Sequence, residues 1–213
     1  MGSDGLEWLE DSVFAEFGYC VTFARGVSAV ELLRRMGCDV ANTARRNVID
    51  ANRWIEDVAE EFGHAAVADK EGVIRAGEAD GWAFAVEDAG IRGVDHDVMA
   101  AVSTDTVAVS TFRNVNALTR FLHARSGTVT CTFESARRRD GSDPDLLVPH
   151  LTRAGLLLPD GDQPDHDIDE HQRRVHRMMY TEFGTTLPRD DVENGELLAA
   201  MYRTPARNRN GRR

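Results

Sequence analysis

The sequence predicts an α+β fold, built on a mostly antiparallel sheet of five to six strands with helices packed on it and a helical C-terminal extension. Segments that alternate apolar and polar residues cluster between residues 73 and 134, whereas helical spacing of apolar residues is grouped near the start and end of the chain. The regular strand–helix alternation of a parallel sheet is missing. With 213 residues and 42% apolar content, the chain can bury one full core.

Six segments are predicted as strands. The first, "YCVTFARG", alternates in hydrophobicity and ends at Gly26. The segment "GVIRAGEADGWAFAVEDAG" divides into two strands around Ala79-Asp80-Gly81, because Asp-Gly tolerates the positive φ of a tight hairpin turn. Its second strand is expected to point Trp82, Phe84 and Val86 into the core. Residues 106–112, 118–124 and 128–134 are expected to form a meander.

Helical patterns account for most of the remaining chain. A helix over residues 5–17 would bury one apolar stripe, formed by Leu6, Leu9, Val13 and Phe17. The longest helical pattern covers residues 42–62, and Ser28 and Asp95 have the character of N-caps for two shorter helices. Three further helices are predicted near the C-terminus, over residues 145–154, 168–184 and 190–202.

The turn between the first two strands of the meander raises a separate question. "STFRNVNALTRF" contains Arg113-Asn114-Val115-Asn116, three polar residues in four, where one strand must reverse into the next. Asn accepts left-handed backbone and can cap its own turn, so Asn114 and Asn116 are explained by a hairpin. Arg113 is not explained by the turn. The alternative is a binding site formed by Arg113, Asn114 and Asn116.

Four elements occur in an order that suggests a family. They are "YCVTFARG", "GWAFAVED", "FRNVNALTRF" and "GTVTCTFE", followed by "DPD" at 143–145 and "AGLL" at 154–157. With these elements the chain resembles an uncharacterised family of high-GC, actinobacterial-type bacteria, catalogued as a domain of unknown function, over roughly residues 8–157. The resemblance implies a fold and carries no known activity, so it assigns no catalytic residue.

The chain is interpreted as three parts. Residues 1–158 form the α+β domain, in which helix 42–62 looks like an insertion relative to the family. Residues 159–202 begin with the acidic linker "PDGDQPDHDIDE" and continue as C-terminal helices. Residues 203–213 form an Arg-rich tail that is expected to be disordered.

Charge and composition narrow the function classes. The formal net charge of −11 argues against general binding to nucleic acid or to acidic membranes. The three cysteines are scattered and form no CxxC pair, and the N-terminal "MGSDGLEWLEDS" lacks the basic and apolar regions of a signal peptide. No apolar run reaches the length of a membrane span. We therefore expect a cytoplasmic protein.

No recognised catalytic or cofactor motif is present. The sequence lacks GxSxG, HExxH, a Walker A loop and GxGxxG, so no cofactor is expected. The acidic and His-rich stretch from Asp160 to His176 does not have EF-hand spacing, and His171 and His176 are five apart, where two ligands on one helix prefer four. We interpret the stretch as a solvated linker and expect no metal site.

These observations favour a non-enzymatic protein-interaction module, such as an adaptor, an inhibitor or an immunity-type partner, with self-association also open. Arg53 and Trp54 are candidate anchors, because a Trp beside an Arg on an amphipathic helix is typical of interfaces; packing of Trp54 on its own sheet is the alternative. A second hypothesis is a small enzyme with a site near Glu87, Asp88, Arg113 and Asn116. A third is weak nucleic-acid contact through the arginines of the tail.

Overall fold

A computed structural model describes residues 5–62 and 71–203. In these residues the α-helices are Val13–Phe17 (α1), Ala29–Arg35 (α2), Val48–Phe62 (α3), His96–Val102 (α4), Val148–Arg153 (α5), Ile168–Met178 (α6) and Arg189–Glu193 (α7). The strands are Gly18–Arg25 (β1), Ala44–Arg46 (β2), Glu71–Ala79 (β3), Trp82–Asp88 (β4), Val107–Asn114 (β5), Thr119–Arg125 (β6), Thr128–Ser135 (β7), Arg138–Asp140 (β8) and Leu197–Arg203 (β9). Glu7–Asp11 and Arg92–Val94 are 3₁₀ turns, and Met179–Phe183 is a π-helical turn that continues α6.

All nine strands belong to one antiparallel sheet, in the order β2-β9-β3-β4-β1-β5-β6-β7-β8. The α+β prediction is therefore confirmed, including the hairpin between β3 and β4, where Asp80 and Gly81 have φ of 48° and 81°. The predicted number of strands, five to six, was too low. The three strands that were missed are β2 and β8, which have only three residues each, and β9.

Strand β9 corrects the prediction of a last helix over residues 190–202. Only Arg189–Glu193 is helical, and "LLAAMY" lies in the sheet between β2 and β3, with Ala200 opposite Ile74. Leu, Ala and Met favour helices as isolated residues, so local propensity gave the wrong answer. The continuous apolar run fits a strand that is buried on both faces, and Ala199 and Ala200 are fully buried on opposite sides.

The sheet is covered on both faces, and the two faces differ in side-chain size. One face carries large residues such as Tyr19, Phe23 and Phe84, and it packs against the N-terminal turn and α6. The other face is rich in alanine, for example Ala85 and Ala108, and it packs against α2 and α4. Residues from 1–158 and from 159–202 both contribute to the first core, through Leu6, Leu9, Leu151, Val175, Met178 and Val192 among others.

The N-terminal helix predicted over residues 5–17 is interrupted. Ser12 has extended backbone (φ −107°, ψ 166°), which separates the 3₁₀ turn from α1. The interruption breaks the apolar stripe, so that Phe14 is buried while Val13 and Phe17 face solvent. The long helix also begins later than predicted, at Val48, because Asn47 accepts a hydrogen bond from the Asp50 N–H (2.8 Å) as an N-cap.

Candidate functional site

Several of the residues singled out in the sequence meet at one end of the sheet. Tyr19, at the start of β1, is opposite Asp88 at the end of β4 and opposite Arg113 at the end of β5. Directly opposed residues of antiparallel strands share a face, so these three side chains form one row. Glu87 is opposite Cys20 and therefore projects from the other face. Of the residues in the enzyme hypothesis, Asp88 and Arg113 therefore lie on one face of the sheet and Glu87 on the other.

The start of β1 requires a glycine. Gly18 has φ of 91°, and it joins α1 to β1 without an intervening loop. A Cβ at this position would lie 2.8 Å from the Arg113 carbonyl oxygen, so the close approach of β5 leaves no room for a side chain. This joint brings α1 beside the β5–β6 turn.

The β5–β6 connection is a hairpin turn, as the sequence predicted. The Asn114 side-chain oxygen accepts hydrogen bonds from the N–H groups of Asn116 and Leu118, both at 2.9 Å, and Ala117 has φ of 58°. Asn114 thus holds the turn together. Asn116 takes part through its backbone N–H, and the residue is exposed.

Arg113 forms two ion pairs beneath this turn. Its Nη1 atom contacts the carboxylate of Glu10, whose side chain is fully buried, and lies 2.7 Å from Asp169 Oδ1 on α6. Burial raises the pKa of the Glu10 carboxyl, although hydrogen bonds from Tyr19 and Arg113 act in the opposite direction. Arg113 therefore connects the sheet to the N-terminal segment and to α6.

A buried polar network continues from Glu10 into the core. The Tyr19 hydroxyl donates to Glu10 Oε1 (2.5 Å) and lies 3.2 Å from His176 Nε2, while Gln172 Nε2 donates to Tyr19 (3.1 Å) and to Thr111 (2.7 Å). Burial, followed by the positive charges of two nearby arginines, lowers the pKa of His176 to about 3. His176 is thus neutral at physiological pH. Tyr19, Gln172 and His176 are buried, and their hydrogen bonds connect α6 to the sheet.

Glu87 and Asp88 have different surroundings. Glu87 accepts hydrogen bonds from the backbone N–H groups of Arg92 (2.9 Å) and Gly93 (2.8 Å), and burial raises its pKa to about 7. Asp88 lies beside Arg75, and both border a cavity of about 180 Å³. Arg113 and Asn116 do not line this cavity. The four residues of the enzyme hypothesis are therefore not gathered in it.

Around this end of the sheet, five large apolar side chains are exposed: Val13, Phe17, Ile91, Val115 and Leu118. We call these five residues the strand-end rim. Phe17 and Val115 flank the paired residues Gly18 and Asn114, and the nearby Ala89 N–H donates to the Gly18 carbonyl (3.0 Å), two residues before Ile91. Sequence reasoning missed the rim, because Phe17 was assigned to a buried stripe and Val115 to a turn.

Arg53 and Trp54, the other candidate anchors, lie on α3. Trp54 is half-buried and packs with Ala51 and Val73, and the Arg46 guanidinium lies 4.3 Å from its ring centroid. Arg53 is exposed and pairs with Asp50 at 3.6 Å. One side of Trp54 therefore has a packing role within the chain, while its remaining surface borders a separate groove with Asn42 and Met201.

Neither a metal cluster nor a membrane span is found in residues 5–62 and 71–203. No group of three or more His, Cys, Asp or Glu side chains is arranged there to hold a metal ion. In the same residues, no helix has the length and apolar character that crossing a bilayer requires. The three cysteines, Cys20, Cys38 and Cys131, are buried and free. Of the Arg-rich tail predicted over residues 203–213, Arg203 is the last residue of β9, and residues 204–213 lie outside the described residues.

A protein-family model, described as a family of unknown function (DUF6461), matches residues 3–183. The chain belongs to this family. The resemblance to a domain of unknown function is thereby confirmed, but the match extends beyond residue 157. It includes α6, whose residues Asp169, Gln172 and His176 contact Arg113, Tyr19 and Thr111. No curated protein and no solved structure matches the chain. The DUF6461 family assigns no activity.

Proposed function

We propose that the chain is a non-enzymatic protein-interaction module that binds a partner protein through the strand-end rim. The observation that carries this proposal is the exposure of Phe17 (63%), Ile91 (63%) and Val115 (66%) at the same end of the sheet. Single exposed apolar side chains are common, but grouped ones mark interaction sites more often. Five of the ten large exposed apolar residues in the described part of the chain belong to the rim.

Hydrogen bonds hold the elements that carry the rim, which favours binding. The Asn114 side chain closes the turn that presents Val115, and the Gly18 carbonyl, next to Phe17, accepts from the Ala89 N–H. The Arg113–Glu10 ion pair anchors the same turn to the N-terminal segment. Because these groups are held in place before a partner arrives, little conformational freedom would be lost on binding.

The negative charge around the rim and of the whole chain indicates which residues the partner presents. Glu16 is exposed beside Phe17, the Asp169 side chain is 60% exposed at the start of α6, and the whole chain carries a formal net charge of −11. Such a surface repels an acidic partner and attracts a basic one. The partner is therefore a protein whose apolar contact residues are flanked by Lys or Arg.

Site-specific photo-crosslinking tests the proposal. A photoreactive phenylalanine analogue is placed at Phe17 or Val115 in the producing cell, and at Leu146 as a matched exposed apolar control in the loop before α5. The rim positions should trap one identified protein, and Leu146 should not. The purified pair should then bind with an affinity that falls as salt rises and that drops at least tenfold in Phe17→Glu.

Three results would count against this proposal. Equal adducts from the rim and from Leu146 would remove the role of the rim. An adduct of twice the chain mass would assign the rim to self-association instead. Binding that is insensitive to Phe17→Glu would place the interface elsewhere.

Two other functions have less support. The enzyme hypothesis needs Arg113 and Asn116 beside Glu87 and Asp88, but Arg113 is engaged by Glu10 and Asp169. Nucleic-acid contact would rest on the tail arginines, all of which except Arg203 lie outside the described residues. Residues 137–139 form a second basic run, of three arginines. Within it, Arg139 donates to the carbonyls of Ala136 and Pro144 and pairs with Asp145, so its guanidinium serves the local fold.

A further inference from the structure

We infer that the cavity between Arg75 and Asp88 is a binding site for a small uncharged molecule with a carboxamide head. The cavity has a volume of about 180 Å³ and lies where β3 begins and β4 ends, under α3. This inference is independent of the proposed role of the rim.

The cavity contains a buried donor and a buried acceptor that face each other as an ion pair without forming a hydrogen bond. The Arg75 side chain is 2% exposed; its Nη1 donates to the Val192 carbonyl (3.0 Å), while its Nη2 finds no hydrogen-bond partner in the described residues. Asp88 Oδ1 is likewise buried and unpartnered within the described part of the chain. The two atoms are 3.9 Å apart, too far for a direct hydrogen bond. Buried polar groups of this kind require an explanation, because leaving them unpaired is unfavourable.

These two atoms, which lack hydrogen bonds, define the head of the ligand. A carboxamide carries an acceptor oxygen and a donor N–H side by side, so it can accept from Arg75 and donate to Asp88 at the same time. A carboxylate would be repelled by Asp88, and an ammonium group by Arg75. The opposite charges of Arg75 and Asp88 nearly cancel in the cavity, which disfavours burial of a third, unpaired charge.

The rest of the cavity limits the size and polarity of the ligand. Its volume of about 180 Å³ equals that of about six water molecules at roughly 30 Å³ each, so the ligand has few heavy atoms. Ala51 and Val73 supply an apolar wall for a short hydrocarbon group. Glu87 also borders the cavity, but its two carboxyl oxygens already accept backbone hydrogen bonds from Arg92 and Gly93.

Three probes that share a branched hydrocarbon group test the site in the full chain: isobutyramide, isobutyrate and isobutylamine. We expect isobutyramide to cause saturable shifts of the backbone amide signals of Val73, Ala89 and Gly90 in ¹H–¹⁵N spectra. We expect isobutyrate and isobutylamine to bind at least tenfold more weakly, because each leaves one of the two buried polar atoms unpaired.

Asp88→Asn provides the matched variant, because it preserves side-chain size and removes the charged acceptor. It should weaken isobutyramide binding several-fold, whereas Asp97→Asn, the same change at an exposed position on α4, should not alter it. The spectra themselves report whether each variant is folded. The inference is overturned if no signal at the cavity saturates, if the three probes bind equally, or if the two variants behave alike. None of these results bears on the rim, since no partner protein is present.

Discussion

Replacing Arg113 with Met should cost about 3–4 kcal/mol of unfolding free energy at pH 8. The substitution keeps much of the side-chain volume but leaves the Glu10 carboxylate buried without its cation. Removing one member of a buried ion pair costs about 3–5 kcal/mol, since the remaining charge stays uncompensated. We expect a value in the lower part of this range, because the Tyr19 hydroxyl still donates to Glu10 and Arg113 is 12% exposed.

The second ion pair of Arg113 contributes little to this value. Asp169 is 60% exposed, so its interaction with Arg113 is screened by solvent and worth at most about 1 kcal/mol. Asp169→Asn is therefore the matched control, and it should lower stability by less than about 1 kcal/mol. The double variant Arg113→Met/Glu10→Gln should recover part of the loss, since it removes the charge that Arg113→Met leaves unpaired.

The loss should also depend on pH, in a direction fixed by Glu10. The pKa of Glu10 in the folded chain is already raised above its ordinary value of 4.5, mainly by burial. Its contribution to stability is thus present at low pH and lost as pH rises through the folded pKa. Without Arg113 that pKa rises further, and a protonated Glu10 can stay buried as a neutral group. The effect of Arg113→Met should be smaller at pH 5 than at pH 8.

Urea unfolding followed by tryptophan fluorescence measures these values for the four chains at both pH values. A loss below about 1 kcal/mol for Arg113→Met would refute the reasoning, because it would mean that Glu10 is solvated or paired elsewhere. A loss that is equal at pH 5 and pH 8 would show that Glu10 is not the group left uncompensated.

Three further predictions concern the buried network, the thiols and the turn. The pKa of His176 is lowered to about 3 in the folded chain, so the unfolded chain binds a proton more readily than the folded one. The free energy of unfolding should therefore fall as the pH drops from 6.5 to 3. His176→Gln should flatten this slope in urea titrations at successive pH values. Burial raises the pKa of Cys38 to about 12 and that of Cys131 to about 11. A thiol reagent should therefore modify no cysteine rapidly in the folded chain and all three in urea. Rapid modification of one cysteine without denaturant would contradict their burial. Asn114→Ala should cost about 1–2 kcal/mol through loss of two turn hydrogen bonds, whereas Asn116→Ala should stay within about 0.5 kcal/mol; equal effects would reject the role given to Asn114.

Local sequence was sufficient to predict the strands that alternate in hydrophobicity or carry a turn signal. The hairpin at Asp80-Gly81 and the turn at Asn114 follow from local backbone preferences, which do not depend on the rest of the fold. The caps at Ser28 and Asp95 are equally local, and both side chains accept the expected hydrogen bonds. The α+β class followed from how these elements are ordered along the chain.

The conformation of "LLAAMY" depends on tertiary packing and could not be predicted from local sequence. Its residues favour a helix, yet a position between β2 and β3 buries both of its faces, and that burial outweighs intrinsic propensity. The same holds for the strand-end rim. Ser12, the N-cap of α1, interrupts a pattern that predicts burial of Phe17, but the apolar spacing continues across Ser12 and therefore does not reveal the interruption.

The partners of Arg113 likewise could not be predicted from the sequence. Glu10 is 103 residues away and Asp169 is 56 residues away along the chain, and each reaches Arg113 only because the N-terminal turn and α6 pack on the same face of the sheet. The sequence identified Arg113 as the residue that its turn did not explain. The structure supplied the reason, because contacts between distant segments depend on packing of the whole core and leave no local pattern.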